Sequence, residues 1–243
     1  MALHTLGDRT DEWFVPPYGP LPLRVAIGLL FLPYTGMVLA YTTIGSMLAE
    51  QIHWDRVGAI ALIYFLALGI GAHALDAIGS KGIKPWGALL PRRPLLMLAV
   101  SAIVMAYGIG LYYIVLYAPL LAFIAVPEGF FLLAYNLEWF DGRFHTDGWF
   151  AVSWGILPVA AGYIIQTNRL SVAVLIVSIA MGLFSLVQIK ASRPYKALKR
   201  RLATSECGTD RDNQATMQQF EWILKSVSLG VMLLGAGLLS WRL

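Results

Sequence analysis

The chain has 243 residues, of which 58% are hydrophobic and only 13% are charged, and its mean hydropathy is +0.67. A soluble domain typically has about 25% charged residues, so this composition excludes an ordinary water-exposed surface. The formal net charge of +4 does not indicate a nucleic-acid partner, because no module of interleaved basic and aromatic residues accompanies it. The composition predicts an integral membrane protein.

Long apolar runs predict about seven transmembrane helices. About 20 apolar residues cross a bilayer as one helix, and helices and closed barrels are the only structures that satisfy every backbone group in lipid. Because the runs do not alternate with polar residues, we expect an all-α polytopic bundle that forms one membrane domain over residues 1–243. The predicted spans are about 24–48, 57–77, 95–115, 119–137, 148–166, 170–189 and 222–241.

Two segments outside these spans complete the predicted organisation. Residues 1–23 carry acids and prolines rather than the basic start of a signal peptide, so we expect a cytoplasmic segment and a retained first span. Residues 190–221 are predicted to form a loop, first basic and then polar, before the last helix. The basic part suits contact with anionic lipid headgroups, and equally a solvated cytoplasmic face.

The distribution of basic residues predicts the orientation. All but three of the 18 basic residues fall in or beside the N-terminal segment and the loops after the second, fourth and sixth spans; the exceptions are Arg56, Arg169 and Arg242. Cytoplasmic loops carry an excess of Lys and Arg. We therefore expect a multi-pass protein of the cell membrane whose N-terminus, basic loops and polar clusters are cytoplasmic.

Two polar clusters interrupt the apolar sequence on the predicted cytoplasmic side. The first, at residues 71–93, contains His73 and Asp76, whose spacing of three residues places both on one helix face. Its basic residues are Lys81, Lys84, Arg92 and Arg93. The second, at residues 132–155, holds Asn136, Glu138, Asp141, His145 and Asp147. Such groups suit a metal-bridged diphosphate, since Mg²⁺ takes only one or two protein carboxylates plus phosphate oxygens, and Lys and Arg neutralise the remaining charge.

Glu128 lies near the middle of the fourth predicted span, next to Pro127. A charged side chain at this depth costs about 2.5–3.5 kcal/mol on insertion scales and has a functional role by default. Seven and eight residues separate Glu128 from Tyr135 and Asn136, which places it on about the same helix face as the second cluster. We expect Glu128 to face the bundle interior, either neutral or paired with a cation or a polar ligand. The alternative is a bond to the carbonyl that Pro127 frees one turn earlier.

The segments "AHALDAIGSKGIKPWGALLPRRPL" and "NLEWFDGRFHTD" resemble the UbiA superfamily of intramembrane prenyltransferases. In that superfamily an Asn-Asp-x-x-Asp-type motif ends the second helix and a second Asp-rich loop follows a later helix. The resemblance covers roughly residues 24–190, and it is that of a divergent, shortened member. Ala72 and His73 stand where Asn-Asp would be, only Asp76 matches the first motif, and fewer spans separate the two clusters.

The resemblance implies transfer or cleavage of a prenyl diphosphate with Mg²⁺ at the cytoplasmic mouth of a helix-lined cavity. The catalytic residues of this hypothesis are Asp76, Asp141 and Glu128. The metal ligands would be Asp76, Glu138, Asp141, Asp147, His73 and His145. The diphosphate would contact Arg92, Arg93, Lys84 and Asn136.

Other functions and roles also fit the sequence. The alternative function is a non-catalytic protein of the same ancestry, either a lipid- or quinone-binding subunit of a larger membrane complex or a small transporter; a homo-oligomer is also compatible. His73 suits an internal hydrogen bond of the bundle, and Asp147 suits a helix N-cap before the fifth span. His73 and His145, with the acids, also suit a transition-metal site. An interfacial aromatic belt accounts for Trp139, Phe144, Trp149 and Phe150.

Overall fold

The computed structural model describes residues 12–79, 90–204 and 211–243, and all regular secondary structure in these residues is helical. We number the helices of this part of the chain in order. They are α1 (Leu21–Leu30), α2 (Leu32–Met47), α3 (Trp54–Gly79), α4 (Arg92–Leu116), α5 (Pro119–Asn136), α6 (Asp147–Thr167), α7 (Val172–Thr204) and α8 (Arg211–Arg242).

Helices α3 to α8 are each long and apolar enough to cross a membrane, and α1 with α2 gives a further span as a pair bent by 45°. The bend occurs at Phe31, which has a left-handed backbone with φ of 45°. Pro33, at the start of α2, has no backbone N–H to continue the hydrogen bonding of α1. For the described residues, the prediction of an all-helical fold with about seven long apolar helices is confirmed.

Turns of π-helix interrupt two of the long helices. They occupy Phe65–Ala72 in α3 and Val152–Ile156 in α6. A π-turn inserts one extra residue into a helical turn and is frequent at functional sites. The first π-helical segment ends directly before His73, and the second contains Trp154.

Glycines bring three helices into backbone contact at the centre of the bundle. A Cβ atom at Gly45 of α2 would meet the backbone of Val159 in α6, and a Cβ atom at Gly162 of α6 would meet the backbone of Thr42 in α2. Gly235 of α8 lies against α2 in the same manner. Small residues allow such close approach between helices in lipid, so they fix how α2, α6 and α8 pack.

The outer helices present apolar side chains on the outside of the bundle. Met97 and Val104 of α4, and Trp222 and Leu233 of α8, each expose more than half of their surface. Contiguous apolar surface of this kind is unusual on a soluble monomer. It is expected of a multi-pass membrane protein, whose outer surface faces lipid.

The basic segment predicted as a loop is mostly helical. Helix α7 continues to Thr204 and α8 begins at Arg211, which leaves only a short connection where residues 190–221 were predicted to be a loop. Lys, Arg, Leu and Ala are good helix formers. The extension also has an apolar face, on which Tyr195 packs with Leu224 of α8 and Trp13.

The first described residues lie against this helical extension. Glu12 forms an ion pair of 3.4 Å with Lys199, and the ammonium group of Lys225 lies 5.4 Å from the ring centre of Trp13. The first described residues and the facing ends of α7 and α8 are therefore at the same end of the bundle.

Two of the few basic residues at the opposite end bind the ends of helices or turns. Arg56 donates to the backbone carbonyls of Ile165 and Gln166. Arg242 donates to the carbonyls of Ala49 and Glu50. Carbonyl groups at helix C-termini lack intrahelical partners, so these arginines have a structural use that the charge distribution alone does not reveal.

Candidate functional site

A polar cavity of about 290 Å³ lies where α3 and α5 end and α6 begins. Its walls come from both predicted polar clusters, from aromatic residues, and from one face of α7. The members of the predicted site that line it are His73, Asp76, Asn136, Glu138 and His145. Two segments about 60 residues apart in sequence thus contribute to one cavity.

The two clusters meet through a glycine contact. A Cβ atom at Gly79, the last residue of α3, would meet the carbonyl oxygen of Asn136 and would lie 3.0 Å from the Cα atom of Leu137. Only a residue without a side chain allows the ends of α3 and α5 to approach this closely. The contact holds Asp76 of α3 beside the turn that carries Glu138.

We expect Gly79→Ala to lower the stability of the protein by about 1–3 kcal/mol, because overpacking against backbone atoms forces the two helix ends apart. Gly58→Ala is the matched control on the same helix, since nothing lies within 4 Å of a Cβ atom there. The control should be neutral or stabilising, because Ala is the better helix former. Thermal unfolding in detergent measures both. Equal unfolding temperatures for the two variants would contradict the proposed contact.

The cations of the cavity come from α7. Arg193, Lys196 and Arg200 line it, and their spacing of three, four and seven residues places them on one helix face. Arg193 also donates to the backbone carbonyl of His145 at 3.3 Å. The helical spacing of these three cations is visible in the sequence. It was missed because residues 190–221 were predicted to form a loop, and a loop has no helix face on which the cations would align.

Aromatic rings form the inner wall of the cavity. Phe31, Tyr34, Phe150 and Trp154 line it. Phe150 and Trp154 are stacked with ring centres 5.4 Å apart, and Tyr34 meets Phe150 edge to face at 5.5 Å. The ammonium group of Lys196 lies 5.0 Å from the centre of the Phe31 ring. The cavity therefore has a charged side and an aromatic side, in contact with each other.

The two histidines and Asn136 are held by backbone carbonyl groups. His73 is buried, and its Nδ1 atom lies 3.0 Å from the carbonyl oxygen of Gly69. The Nδ1 atom of His145 lies 3.0 Å from the carbonyl oxygen of Tyr135. The rings of His145 and Tyr135 are stacked with their centres 4.3 Å apart. Asn136 donates to the Leu132 carbonyl at 2.8 Å. These bonds fix the side chains as parts of the wall.

The turn after α5 has an unusual backbone. Glu138, Phe140 and Asp141 all have positive φ, between 51° and 56°. Such values are uncommon outside glycine and, where the surroundings enforce them, are typical of functional sites. The turn places Glu138 on the cavity wall, whereas Asp141 is exposed and is not among the residues that line it.

Asp147 is used by an ion pair beside the cavity. It is the first residue of α6, and its Oδ1 atom lies 2.9 Å from Nε of Arg193. The N-cap of α6 is Thr146, whose hydroxyl oxygen accepts from the backbone N–H of Trp149 at 3.4 Å. Asp147 therefore holds a cavity arginine in position and is not the N-cap.

The predicted set of six metal ligands does not come together as a set. In residues 12–79, 90–204 and 211–243, no group of three or more His, Cys, Asp or Glu side chains has the proximity that a metal ion needs. The carboxylates that line the cavity are Asp76 and Glu138. This number suits Mg²⁺ that arrives with a diphosphate, because Mg²⁺ keeps waters and takes one or two protein carboxylates.

Two of the cations predicted for the diphosphate, Arg92 and Arg93, are not those of the cavity. Arg92 and Arg93 are exposed at the start of α4 and do not line it. Lys84 lies outside the described residues. The three cations of α7 occupy the position that was predicted for the basic residues of the first cluster. They reach the cavity because α7 continues beyond its apolar part.

Glu128 lies in a different place from the other predicted catalytic residues. It lines a second, apolar cavity of about 430 Å³, which shares no lining residue with the polar cavity. Its Oε1 atom accepts a hydrogen bond of 2.8 Å from the hydroxyl group of Tyr64 in α3. Glu128 thus faces a neighbouring helix and not the polar cavity, although Asn136 on the same helix reaches that cavity.

Comparison of the chain with protein-family profiles, with curated protein sequences and with solved structures finds no match.

Proposed function

We propose that the chain is a UbiA-like membrane protein that binds a prenyl diphosphate in the polar cavity. The observation that carries the proposal is the make-up of that cavity, in which three cationic side chains of α7 and two carboxylates adjoin a wall of aromatic rings. A prenyl diphosphate has the matching parts, an anionic head and an apolar chain. The resemblance of the two polar clusters to the superfamily supports the same ligand.

The α7 cations are suited to the diphosphate. Lys and Arg bind phosphate oxygens by charge-assisted hydrogen bonds, which are shorter and stronger than neutral ones. Arg193 is oriented by Asp147, and Lys196 by the ring of Phe31. Both contacts limit the freedom of long side chains, so less conformational entropy is lost when an anion binds.

The two carboxylates give the cavity a place for Mg²⁺. Asp76 and Glu138 would hold the ion with the phosphate oxygens, in keeping with the one or two carboxylates that Mg²⁺ takes from a protein at phosphate sites. When bound, Mg²⁺ would neutralise negative charge on the diphosphate. The positive-φ turn supports this proposal, because it brings Glu138 to the same cavity that Asp76 lines.

The aromatic wall suits the chemistry of an allylic diphosphate. In transfer or cleavage, the bond between the first carbon of the chain and the diphosphate oxygen breaks, and its electron pair leaves with the diphosphate. Positive charge then develops on the first carbon of the chain until an acceptor molecule, or water in a cleavage reaction, bonds to that carbon and releases a proton. The faces of aromatic rings attract such charge. Phe31, Phe150 and Trp154 would contact this part of the chain, and in a transferase they would also keep water away from it.

Binding and turnover by the purified full-length protein test the proposal. Farnesyl diphosphate with Mg²⁺ is expected to raise the unfolding temperature, and the shift should fall when EDTA removes the ion. Farnesol and inorganic diphosphate, which each lack one half of the ligand, should shift it less. An absent shift with farnesyl diphosphate would contradict the proposal.

A second measurement separates an enzyme from a binding protein. Release of inorganic diphosphate from bound farnesyl diphosphate, with or without an added aromatic acceptor, identifies a transferase or a hydrolase. Binding without release, together with a partner that co-purifies in fixed ratio, identifies the non-catalytic subunit of a membrane complex.

A further inference from the structure

The apolar cavity that contains Glu128 has the features of a second binding site. It lies between α3, α4 and α5, and its volume of about 430 Å³ is within the range of about 300–1,000 Å³ that is typical of small-molecule sites. Among its lining residues, the polar side chains belong to Tyr64, Tyr107 and Glu128. A cavity with apolar walls and a few polar atoms orients a ligand by those atoms.

One oxygen atom of these three side chains has no hydrogen-bond partner among the described residues. Tyr64 donates its only hydroxyl proton to Oε1 of Glu128, and Tyr107 donates its own to the backbone carbonyl of Ala125, both at 2.8 Å. The Oε2 atom of Glu128 is buried and has no hydrogen-bond partner in the described part of the chain. Neither tyrosine has a further proton to give it.

A buried carboxyl oxygen without a partner needs an explanation. Most buried polar side-chain atoms in proteins have a hydrogen-bond partner, and the exceptions often mark a ligand or a functional group. The position of Glu128 within an apolar helix makes the need stronger, because lipid offers no water to complete the bonding.

The cavity is open toward the outside of the bundle. Tyr107, Leu111 and Val126 line it and are also exposed on the outer surface. A molecule dissolved in the lipid therefore has a route into the cavity that Glu128 lines, separate from the polar cavity.

We propose that this cavity binds an apolar molecule that carries a single hydroxyl group, and that the hydroxyl bonds Oε2 of Glu128. A hydroxyl group both donates and accepts, so it pairs with a carboxylate oxygen and equally with a protonated carboxyl group. A carbonyl compound only accepts, and a pure hydrocarbon does neither. The apolar body of the molecule would lie against the aliphatic side chains of α3, α4 and α5. This inference is independent of the ligand of the polar cavity.

Photolabelling of the purified full-length protein tests the site. The probe is a dodecanol derivative with a diazirine in its chain, and the competitors are 1-dodecanol and dodecane, which share the same chain. The probe should label peptides of α3, α4 and α5 around Tyr64, Tyr107 and Glu128. Because a buried polar atom left without a hydrogen bond carries its full desolvation penalty, 1-dodecanol, which supplies that bond, should displace the probe at a concentration about tenfold lower than dodecane, which does not.

Variants of Glu128 identify the group that recognises the hydroxyl. Glu128→Leu should remove the preference for the alcohol, and Glu128→Gln, which retains a donor and an acceptor, should keep it. Phe123→Leu on the same helix is the control, since Phe123 is 76% exposed and does not line the cavity.

Two results would overturn the proposal. One is equal displacement by the alcohol and the alkane in the wild-type protein, which would identify a cavity that holds lipid chains only. The other is an alcohol preference that survives in Glu128→Leu. If that variant does not fold, the wild-type comparison and the positions of labelling decide the matter.

Discussion

Lys196→Glu is expected to weaken the binding of farnesyl diphosphate by about 100-fold, and Lys196→Gln by about tenfold. Lys196 is half-buried at the junction of the charged and aromatic sides of the cavity, where its ammonium group lies over Phe31. Loss of a hydrogen bond to a charged group removes about 1.5–3 kcal/mol, and every 1.4 kcal/mol is a factor of ten in affinity. A carboxylate in the same place would also repel the diphosphate.

Arg201→Glu is the control for this charge reversal. Arg201 lies on the same helix and is exposed, but it does not line the cavity, so affinity should change by less than about threefold, as is usual for charges in high dielectric. Titration of each variant with farnesyl diphosphate, at fixed Mg²⁺ concentration, gives the comparison. Equal losses in Lys196→Glu and Arg201→Glu would show that α7 attracts anions only by its overall charge, and would remove the support for a built diphosphate site.

Gly162→Val is expected to cause the largest loss of stability of any single substitution considered, about 3 kcal/mol or more. A Cβ atom at Gly162 would occupy the space of the Thr42 backbone, and backbone atoms of α2 cannot move aside as a flexible side chain can. Overpacking usually costs about 1–3 kcal/mol, and here it opens the centre of the bundle. Gly230→Val on α8 is the control, because a Cβ atom there meets nothing within 4 Å.

A double-mutant cycle makes this prediction more specific. Gly45 and Gly162 lie at the same crossing of α2 and α6, so once one alanine has separated the helices, the second should cost less. The combined loss in Gly45→Ala with Gly162→Ala should be smaller than the sum of the single losses. Unfolding temperatures in detergent provide the measurement. Additive losses would indicate that the two glycines do not share one crossing.

Much of the architecture was readable from composition and hydropathy. The spans are set by the length of apolar sequence that lipid requires, and this requirement acts on each segment independently of the rest. The same requirement explains why the end of α7 was predicted too early. Hydropathy falls at Lys190, but the helix continues because Tyr195 packs against Leu224 of a helix that comes later in the chain. Contacts of this kind are not visible in a single segment.

The candidate site was predicted in part. His73, Asp76, Asn136 and Glu138 line one cavity, because their clusters follow helices that end on the same side. The resemblance to a second Asp-rich loop placed Asp141 with them, but in the left-handed turn Asp141 is exposed and does not line the cavity. Sequence spacing alone does not resolve this.

The cations and the aromatic wall depend on packing between distant helices. Arg193 and Lys196 reach the cavity because α7 packs beside the start of α6. Phe31 reaches it because the chain bends between α1 and α2. No local pattern indicates which helices are neighbours, so the resemblance assigned the diphosphate to Arg92 and Arg93 of the first cluster.

The π-helical turns of α3 and α6 have a consequence for how such a site changes over evolutionary time. One residue of an α-helix corresponds to a rotation of about 100°. In a regular α-helix an inserted residue would therefore rotate all residues beyond it, whereas a π-turn takes the extra residue into one wide turn and leaves the flanking turns facing as before. Phe65–Ala72 separates the middle of α3 from His73 and Asp76. Gain or loss of one residue in this segment is therefore absorbed there while His73 and Asp76 keep facing the cavity, so the length of this membrane span can change without loss of the polar groups of the site.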